Sequence, residues 1–287
     1  MKMAPPARVG VAVKVSSRDA ARAGEQVIAG LAKRGMGCVV DRESAALLGV
    51  AGGPPRAELG HRVDAVIVAG GDGTFLSVAR GCSAATPVAG INCGTLGFLT
   101  EHPASRIDRL LDDLAAGEAL ITSRERLRVS VGDGERRFDV LNDAVVNKAA
   151  LARILTIVVA VDGEDLNRFR ADGLILATPT GSTAYNLSAG GPLVHPDLEA
   201  LLITPICPHM LSNRPVLVAL DQRVEVWVEA GDEGVYLTLD GQLGVPIGGM
   251  VRIRVERSPE KLSLIRAGDS GFFAMLRRKL NWGELEV

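Results

Sequence analysis

The sequence predicts a chain of mixed class: an α/β domain with a parallel sheet, then a mostly antiparallel β domain, then one helix returning to the first domain. Three observations carry this. Up to about Thr122, short β-branched runs alternate with helical periodicity, which implies a parallel sheet covered by helices. From residue 123 to 267 strand-like runs dominate and helical spacing fades. After Gly268, Phe272, Met275, Leu276 and Leu280 restore helical spacing, and a lone terminal helix must bury that apolar stripe somewhere. The expected domains are 1–122 and 123–267, followed by the terminal helix 268–287.

The elements follow in order. Residues 9–15 form a short β-branched run, and Ser16-Ser17-Arg18-Asp19 then resembles a capping box. Val27, Ile28 and Leu31 sit at helical spacing until Gly35 and Gly37 stop the helix. Residues 38–40, 65–69 and 87–91 read as further strands. Ser105-Arg106-Ile107-Asp108 reads as a second helix start, with Ile107, Leu110, Leu111 and Leu114 as its apolar face. In the second domain, residues 127–131, 138–146, 154–161, 174–177, 224–228, 235–239 and 251–255 are strand-like. A helical stretch is expected only near 183–189.

Composition narrows the function. Hydrophobic residues make up 47% of the 287 and aromatics only 3%, so the cores are built from Val, Ile, Leu and Ala. A net charge of −2 without a long basic run gives a nucleic-acid partner no support. Cys38, Cys82, Cys93 and Cys207 match no zinc or dithiol spacing and read as buried free thiols in a reducing compartment. The N-terminus carries Pro5 and Pro6 and no apolar signal region, and no apolar run reaches the roughly 18 residues of a membrane span. A cytoplasmic protein without a membrane partner is expected.

The sharpest local signal is Gly70-Gly71-Asp72-Gly73-Thr74, between a buried strand and a helical run over 75–80. Ligands bind at such strand-to-helix corners of open α/β sheets. Helix N-terminal amides attract phosphate, and glycine lets the backbone come close to it. The segment is neither a P-loop, since its lysine is missing, nor a G-x-G-x-x-G turn. An acid inside a phosphate cradle is unfavourable unless it has work to do. Asp72 has two such uses, as acceptor of a proton from an attacking hydroxyl or as a holder of Mg²⁺. The plainer alternative is that it caps the following helix.

Three segments add to this. Asn92-Cys93-Gly94-Thr95-Leu96-Gly97-Phe98-Leu99-Thr100 is a second glycine-bearing loop after a strand. Asn142-Asp143 interrupts an apolar strand, as an edge-strand bulge or as a site. The stretch 172–192 runs from a strand into a dense set of hydroxyls and glycines around Tyr185, suited to a polar ligand.

Together these residues resemble the NAD kinase family, from Gly70 to roughly Trp282. The most specific parts are the stretch 172–192, Ile203-Thr204-Pro205-Ile206-Cys207-Pro208-His209-Met210-Leu211-Ser212-Asn213-Arg214-Pro215, and Asp240-Gly241-Gln242. The resemblance implies a Rossmann-like α/β domain, a β-sandwich-like domain, and transfer of the γ-phosphoryl group of ATP to the 2′-hydroxyl of the adenosine ribose of NAD. It implies Asp72 as general base with Gly73 beside it at the nucleotide, and Asn142 with Asp143 at the ribose. Many relatives have Glu at the position of Asp143, so the reach here is one methylene shorter. The dinucleotide cradle is implied to be Thr183, Ala184, Tyr185, Asn186, Leu187 and Ser188, with Tyr185 stacking. Arg153, Arg170, Asp172 and Gln242 complete the implied contacts. Mg²⁺ or another divalent cation is expected with ATP, with no metal-ligand set in the chain itself. A homodimer or homotetramer is expected by analogy. Two other functions share parts of the pattern: a GGDGT-type kinase with a lipid or sugar-phosphate acceptor, and a non-catalytic NAD or NADP sensor.

Overall fold

The computed structural model describes residues 1–132, 134, 136–148, 154–229, 234–247, 251–268 and 271–282. The chain forms two compact units, Met1–Ser123 together with the chain from Leu262, and Arg124–Lys261.

The first unit runs β1 (Arg8–Val13), α1 (Arg18–Lys33), β2 (Gly37–Val40), α2 (Arg42–Leu48), β3 (Ala65–Gly70), α3 (Asp72–Ala79), β4 (Val88–Asn92), β5 (His102–Pro103), α4 (Ile107–Ala115) and β6 (Ile121–Arg124). β1 pairs in parallel with β2 and β3, β3 with β4, and β4 with β5. Val9, Val11, Val13, Ile67 and Ile91 of the sheet share one core with Val27 and Leu31 of α1 and Leu110, Leu111 and Leu114 of α4. The cap of α1 falls within the expected segment but at Ser17, which accepts from Ala20 N at 3.2 Å, so the residue three beyond the cap is Ala20 and not Asp19. α4 departs from the expectation, because no side chain caps it and a 3₁₀ turn over Ala104–Arg106 leads into it. α2 has no signature in the sequence, since seven residues are too few to show a periodicity; Asp41 caps it through Ser44 N at 2.6 Å.

The second unit contains β7 (Leu127–Val131), β8 (Arg136–Val140), β9 (Asp143–Lys148), β10 (Leu155–Val161), β11 (Glu164–Ala171), β12 (Gly173–Ala177), the single turn α5 (Tyr185–Ser188), β13 (Ala200–Ile206), β14 (Val216–Ala219), β15 (Val224–Glu229), β16 (Val235–Leu239), β17 (Leu243–Ile247) and β18 (Arg252–Arg257). These strands make two sheets, β11-β10-β15-β18-β7-β8 and β14-β13-β12-β9-β16-β17. Among the described residues the pairings within them are antiparallel. Alternate residues of both face one apolar core, including Val129, Ile157, Phe169 and Val226 from one sheet and Val146, Leu174, Ile203 and Leu237 from the other. This is a sandwich. The β9–β12–β13 sheet is buried on its other face too, where Val145, Ile175, Leu202 and Ile206 meet Val194 and Ala189 of the segment after β12.

One expected strand is in fact two. Residues 138–146 read as continuous, yet β8 belongs to one sheet and β9 to the other. Leu141 and Asn142 are where the chain crosses, so the polar pair is not an edge bulge. An apolar run does not show which sheet each half joins.

The chain re-enters the first unit at β19 (Leu262–Ile265), which pairs in parallel with β4, and continues into α6 (Phe272–Leu280). The return therefore comes at Leu262 rather than 268, because a sheet strand precedes the helix. The sheet order is β2-β1-β3-β4-β19-β6, with β5 beside β4. α6 buries Met275 and Leu276, and its Lys279 Nζ lies 5.6 Å from the Phe98 ring centre within the same unit.

Candidate active site

Parallel pairing of β3 and β4 places Gly70 beside Asn92. The two glycine-bearing segments therefore leave the sheet at the same carboxyl edge. Cys93 N donates to Gly70 O at 3.2 Å, and Asn92 folds its own loop by accepting from Gly94 N at 3.0 Å and donating to Thr95 O at 2.8 Å.

The helix after β3 starts earlier than the sequence suggests. Gly71 is the N-cap and Asp72 opens the first turn, so Asp72, Gly73 and Thr74 are helical rather than a loop ahead of Phe75. Asp72 does not cap the helix. Its carboxylate reaches across to the 92–100 loop, where Oδ2 accepts from Phe98 N at 2.7 Å. Oδ1 accepts from Leu99 N at 3.1 Å, and from Thr100 N and Thr100 Oγ1 at 3.0 Å each. A carboxylate has about four acceptor positions, two per oxygen. Oδ1 is fully used, while Oδ2 takes one bond, and the residue as a whole is half-buried. Gly97 is required here, since a Cβ on it would lie 2.0 Å from Asp72 Oδ1.

The first amides of α3 have no partner within the helix and point where an anion binds. A Cβ built on Gly71 or Gly94 meets nothing within 4 Å, so both backbones face open space. Gly73 is exposed at the same turn. Lys14, unremarked in the sequence, leaves β1 beside it: Lys14 N donates to Ala69 O at 2.9 Å, and its Cβ is 3.1 Å from where a Gly70 Cβ would stand. Only the parallel register of β1 and β3 reveals this lysine.

In the second unit a corner forms where β8 crosses to β9, β12 ends and β16 ends. Ala177 pairs with Asp143, Thr178 N donates to Asn142 O at 2.9 Å, and Thr178 Oγ1 donates to Leu141 O at 2.6 Å. Gly181 approaches so closely that a Cβ would lie 2.1 Å from Asn142 O. Asn142 is 8% exposed, and its Oδ1 is buried without a hydrogen-bond partner. Such an orphaned acceptor calls for an explanation. Asp143, 4% exposed, has its carboxyl pushed up to about 7, first by burial and then by the neighbouring Asp240.

The 183–188 stretch follows directly. Thr183 ends a 3₁₀ turn, Ala184 leads into α5, and Tyr185 and Ser188 are exposed, Tyr185 at 45%. Leu187 is half-buried. Asn186 differs from the expectation. It is wholly buried, with Nδ2 donating to Ser182 O and Pro192 O and Oδ1 accepting from Thr204 Oγ1 at 2.6 Å. Its side chain anchors the turn to β13 and is not available to a ligand. Gln242 is exposed two residues beyond Asp240.

Arg170 and Asp172 do not share this corner. Asp172 precedes β12 at its opposite end, about 16 Å away along the strand at about 3.3 Å per residue, and Arg170 lies near the end of β11, in the other sheet. There Asp172 pairs with Lys148 Nζ at 2.8 Å, and Arg170 is exposed. Arg153 lies outside the described residues.

The comparisons with known proteins agree across both units. The model of the ATP-NAD kinase N-terminal domain matches residues 54–119, and that of the ATP-NAD kinase C-terminal domain matches residues 141–267. An NAD kinase of Geotalea daltonii is 40% identical over 281 residues, covering 96% of this chain and 99% of its own. One from Desulforamulus reducens is 43% identical over 277 residues, covering 95% and 96%. Among solved structures, an NAD kinase from Archaeoglobus fulgidus in complex with ATP has a TM-score of 0.78 at 26% identity, covering 94% of this chain and 98% of its own. A yeast NADH kinase complexed with NADH shares the fold with a TM-score of 0.87 at 23% identity, covering 99% and 89%. The glycine-rich corner of the first unit and the polar corner of the second thus fall inside two matched domains, and the chain belongs to the ATP-NAD kinase family.

Proposed function

We propose that the protein transfers the γ-phosphoryl group of ATP to the 2′-hydroxyl of the adenosine ribose of NAD, giving NADP. The observation that carries the acceptor side is the buried, unpartnered Asn142 Oδ1 beside the buried acid Asp143. A ribose, with its adjacent hydroxyls, is chemically suited to both groups. Thr183, Ala184, Leu187 and Ser188 line the adenosine turn in this reading, and Tyr185 stacks on the base. Gln242 is assigned to the same half, and Arg170 and Asp172 to the nicotinamide half, on the family's pattern. Asn186 acts by holding the turn in place.

On the donor side, the free amides at the start of α3 and the open backbones of Gly71 and Gly94 suit phosphate oxygens. Asp72 Oδ2 takes the proton as the ribose oxygen bonds to the γ-phosphorus and the bond to the β-phosphate oxygen breaks, releasing ADP. Gly73 adjoins the nucleotide. Among the described residues no group of three or more His, Cys, Asp or Glu is arranged to hold a metal ion. A divalent cation therefore belongs in this reading with the nucleotide, where it offsets phosphate charge, and no step is routed through it.

The four cysteines are free, but Cys38 and Cys207 are exposed rather than buried as expected; the free thiols still support placement in a reducing, cytoplasmic compartment. Among the described residues no helix is long and apolar enough to cross a membrane. A homodimer or homotetramer is part of the same proposal, carried by the family alone.

The deciding measurement is a coupled assay for NADP with purified protein and ATP–Mg²⁺, run beside a panel of lipid and sugar-phosphate acceptors. NADP formation that requires both ATP and NAD is expected. ATP consumption with another acceptor and none with NAD would overturn the reading, as would tight NAD binding with no ATP turnover.

A further inference from the structure

We propose that Asp240 is a positioning residue for the acceptor ribose, acting through the backbone of residues 141–143 rather than on the ligand. The proposal rests on the reading of Asn142 and Asp143 as ribose contacts.

The sheet crossing creates a local difficulty. Between β8 and β9 the chain changes sheets, and amides there leave both ladders; buried amides need acceptors. Asp240 meets them together. Its Oδ1 accepts from Leu141 N at 3.1 Å, Asn142 N at 2.7 Å and Asp143 N at 3.2 Å, and Oδ2 from Leu141 N at 3.1 Å. In return Asp240 N donates to Asp143 O at 2.9 Å, closing the link in both directions. The residue is 6% exposed and adopts a φ of +49°, a left-handed conformation that Asp tolerates better than most side chains.

The arrangement also carries an electrostatic penalty. It places one buried carboxylate beside another and opposes the ionisation of Asp143. What it secures is direction. With three consecutive amides held on one carboxylate, the Cα–Cβ bonds of Asn142 and Asp143 have fixed headings, one carrying the orphaned Oδ1 and the other the buried acid. Strained and electrostatically unfavourable arrangements persist where such geometry is used.

The test compares Asp240→Ala, Asp240→Asn, Asn142→Ala and the Asp240→Ala/Asn142→Ala pair in steady-state kinetics of the full chain. Asp240→Ala is expected to raise the KM for NAD about tenfold, with the KM for ATP held within about twofold. Asp240→Asn keeps one accepting oxygen and is expected to raise the NAD KM about threefold. Because Asp240 acts through Asn142 and Asp143, the double variant should fall short of the product of the single effects. An equal rise in both KM values, or single effects that multiply, would overturn the positioning role. If Asp240→Ala fails to fold, the same split in Asp240→Asn decides: a rise confined to NAD supports the proposal, and no rise or an equal rise overturns it. An NAD effect in Asn142→Ala with none in either Asp240 variant sinks the positioning role alone. An unchanged NAD KM in Asn142→Ala sinks the ribose assignment and the proposal with it.

Discussion

Asp72 and Asp240 solve the same problem in different units. Each carboxylate gathers three consecutive backbone amides, 98–100 for Asp72 and 141–143 for Asp240. They differ in what remains afterwards. Asp72 opens a helix at a sheet edge, half-exposed, with Oδ2 holding a single bond. Asp240 is buried at the end of a strand in a left-handed turn. One grip leaves an oxygen with room for a further partner, and the other is closed in by the chain it holds. In the proposed reading, residual exposure more than the identity of the acid separates a reacting group from a scaffold.

The largest effect that would break this comparison is at Asp72. Asp72→Asn keeps the shape but loses the proton acceptor and turns an NH₂ group toward amide donors. Turnover should fall by about 10²–10⁴, the usual worth of general base catalysis. Calorimetric NAD affinity should stay within about threefold, since the proposed ribose contacts, Asn142 and Asp143, belong to the other unit. Near-normal turnover would put Asp72 in the same class as Asp240.

A second test sharpens the buried side. Asp143 has a folded-state pKa of about 7, raised above the ordinary carboxylate value by burial and by Asp240. The folded state therefore holds its proton longer than the unfolded chain does. The stability due to this group is greatest below the unfolded pKa and is lost as pH rises toward 7. The loss is on the order of a few kcal/mol. Thermal melts of the parent should fall from pH 5 to pH 8 more steeply than those of Asp143→Asn. Parallel curves would show that the acid is not strained in the fold.

The smallest expected change concerns the neighbouring turn. Tyr185→Ala removes an exposed ring, and loss of about 1 kcal/mol of stacking should raise the NAD KM roughly fivefold. The ATP KM should not follow. Equal changes in both would place Tyr185 away from the base.

Much of the site was legible because its chemistry is local. Asp72 beside glycines, the 172–192 stretch and the Asn142-Asp143 pair stand out in the sequence, since glycines and polar residues at strand ends conflict with burial. The division into an α/β unit and a β unit followed from the change of hydrophobic period, 3.6 against 2, which is written along the chain. Asn186 misled, because a conspicuous polar residue in a polar stretch looks the same whether its partners are a ligand or Ser182, Pro192 and Thr204.

What the chain determined alone was therefore class, period and the candidate reactive groups. Tertiary structure decided which amides each acid holds, that residues 138–146 divide between two sheets, that Lys14 adjoins the glycine turn, and that β19 rejoins the first sheet. Each of these depends on pairing between residues distant in sequence. Such pairing is set by the register and burial of whole sheets, and no local spacing encodes it.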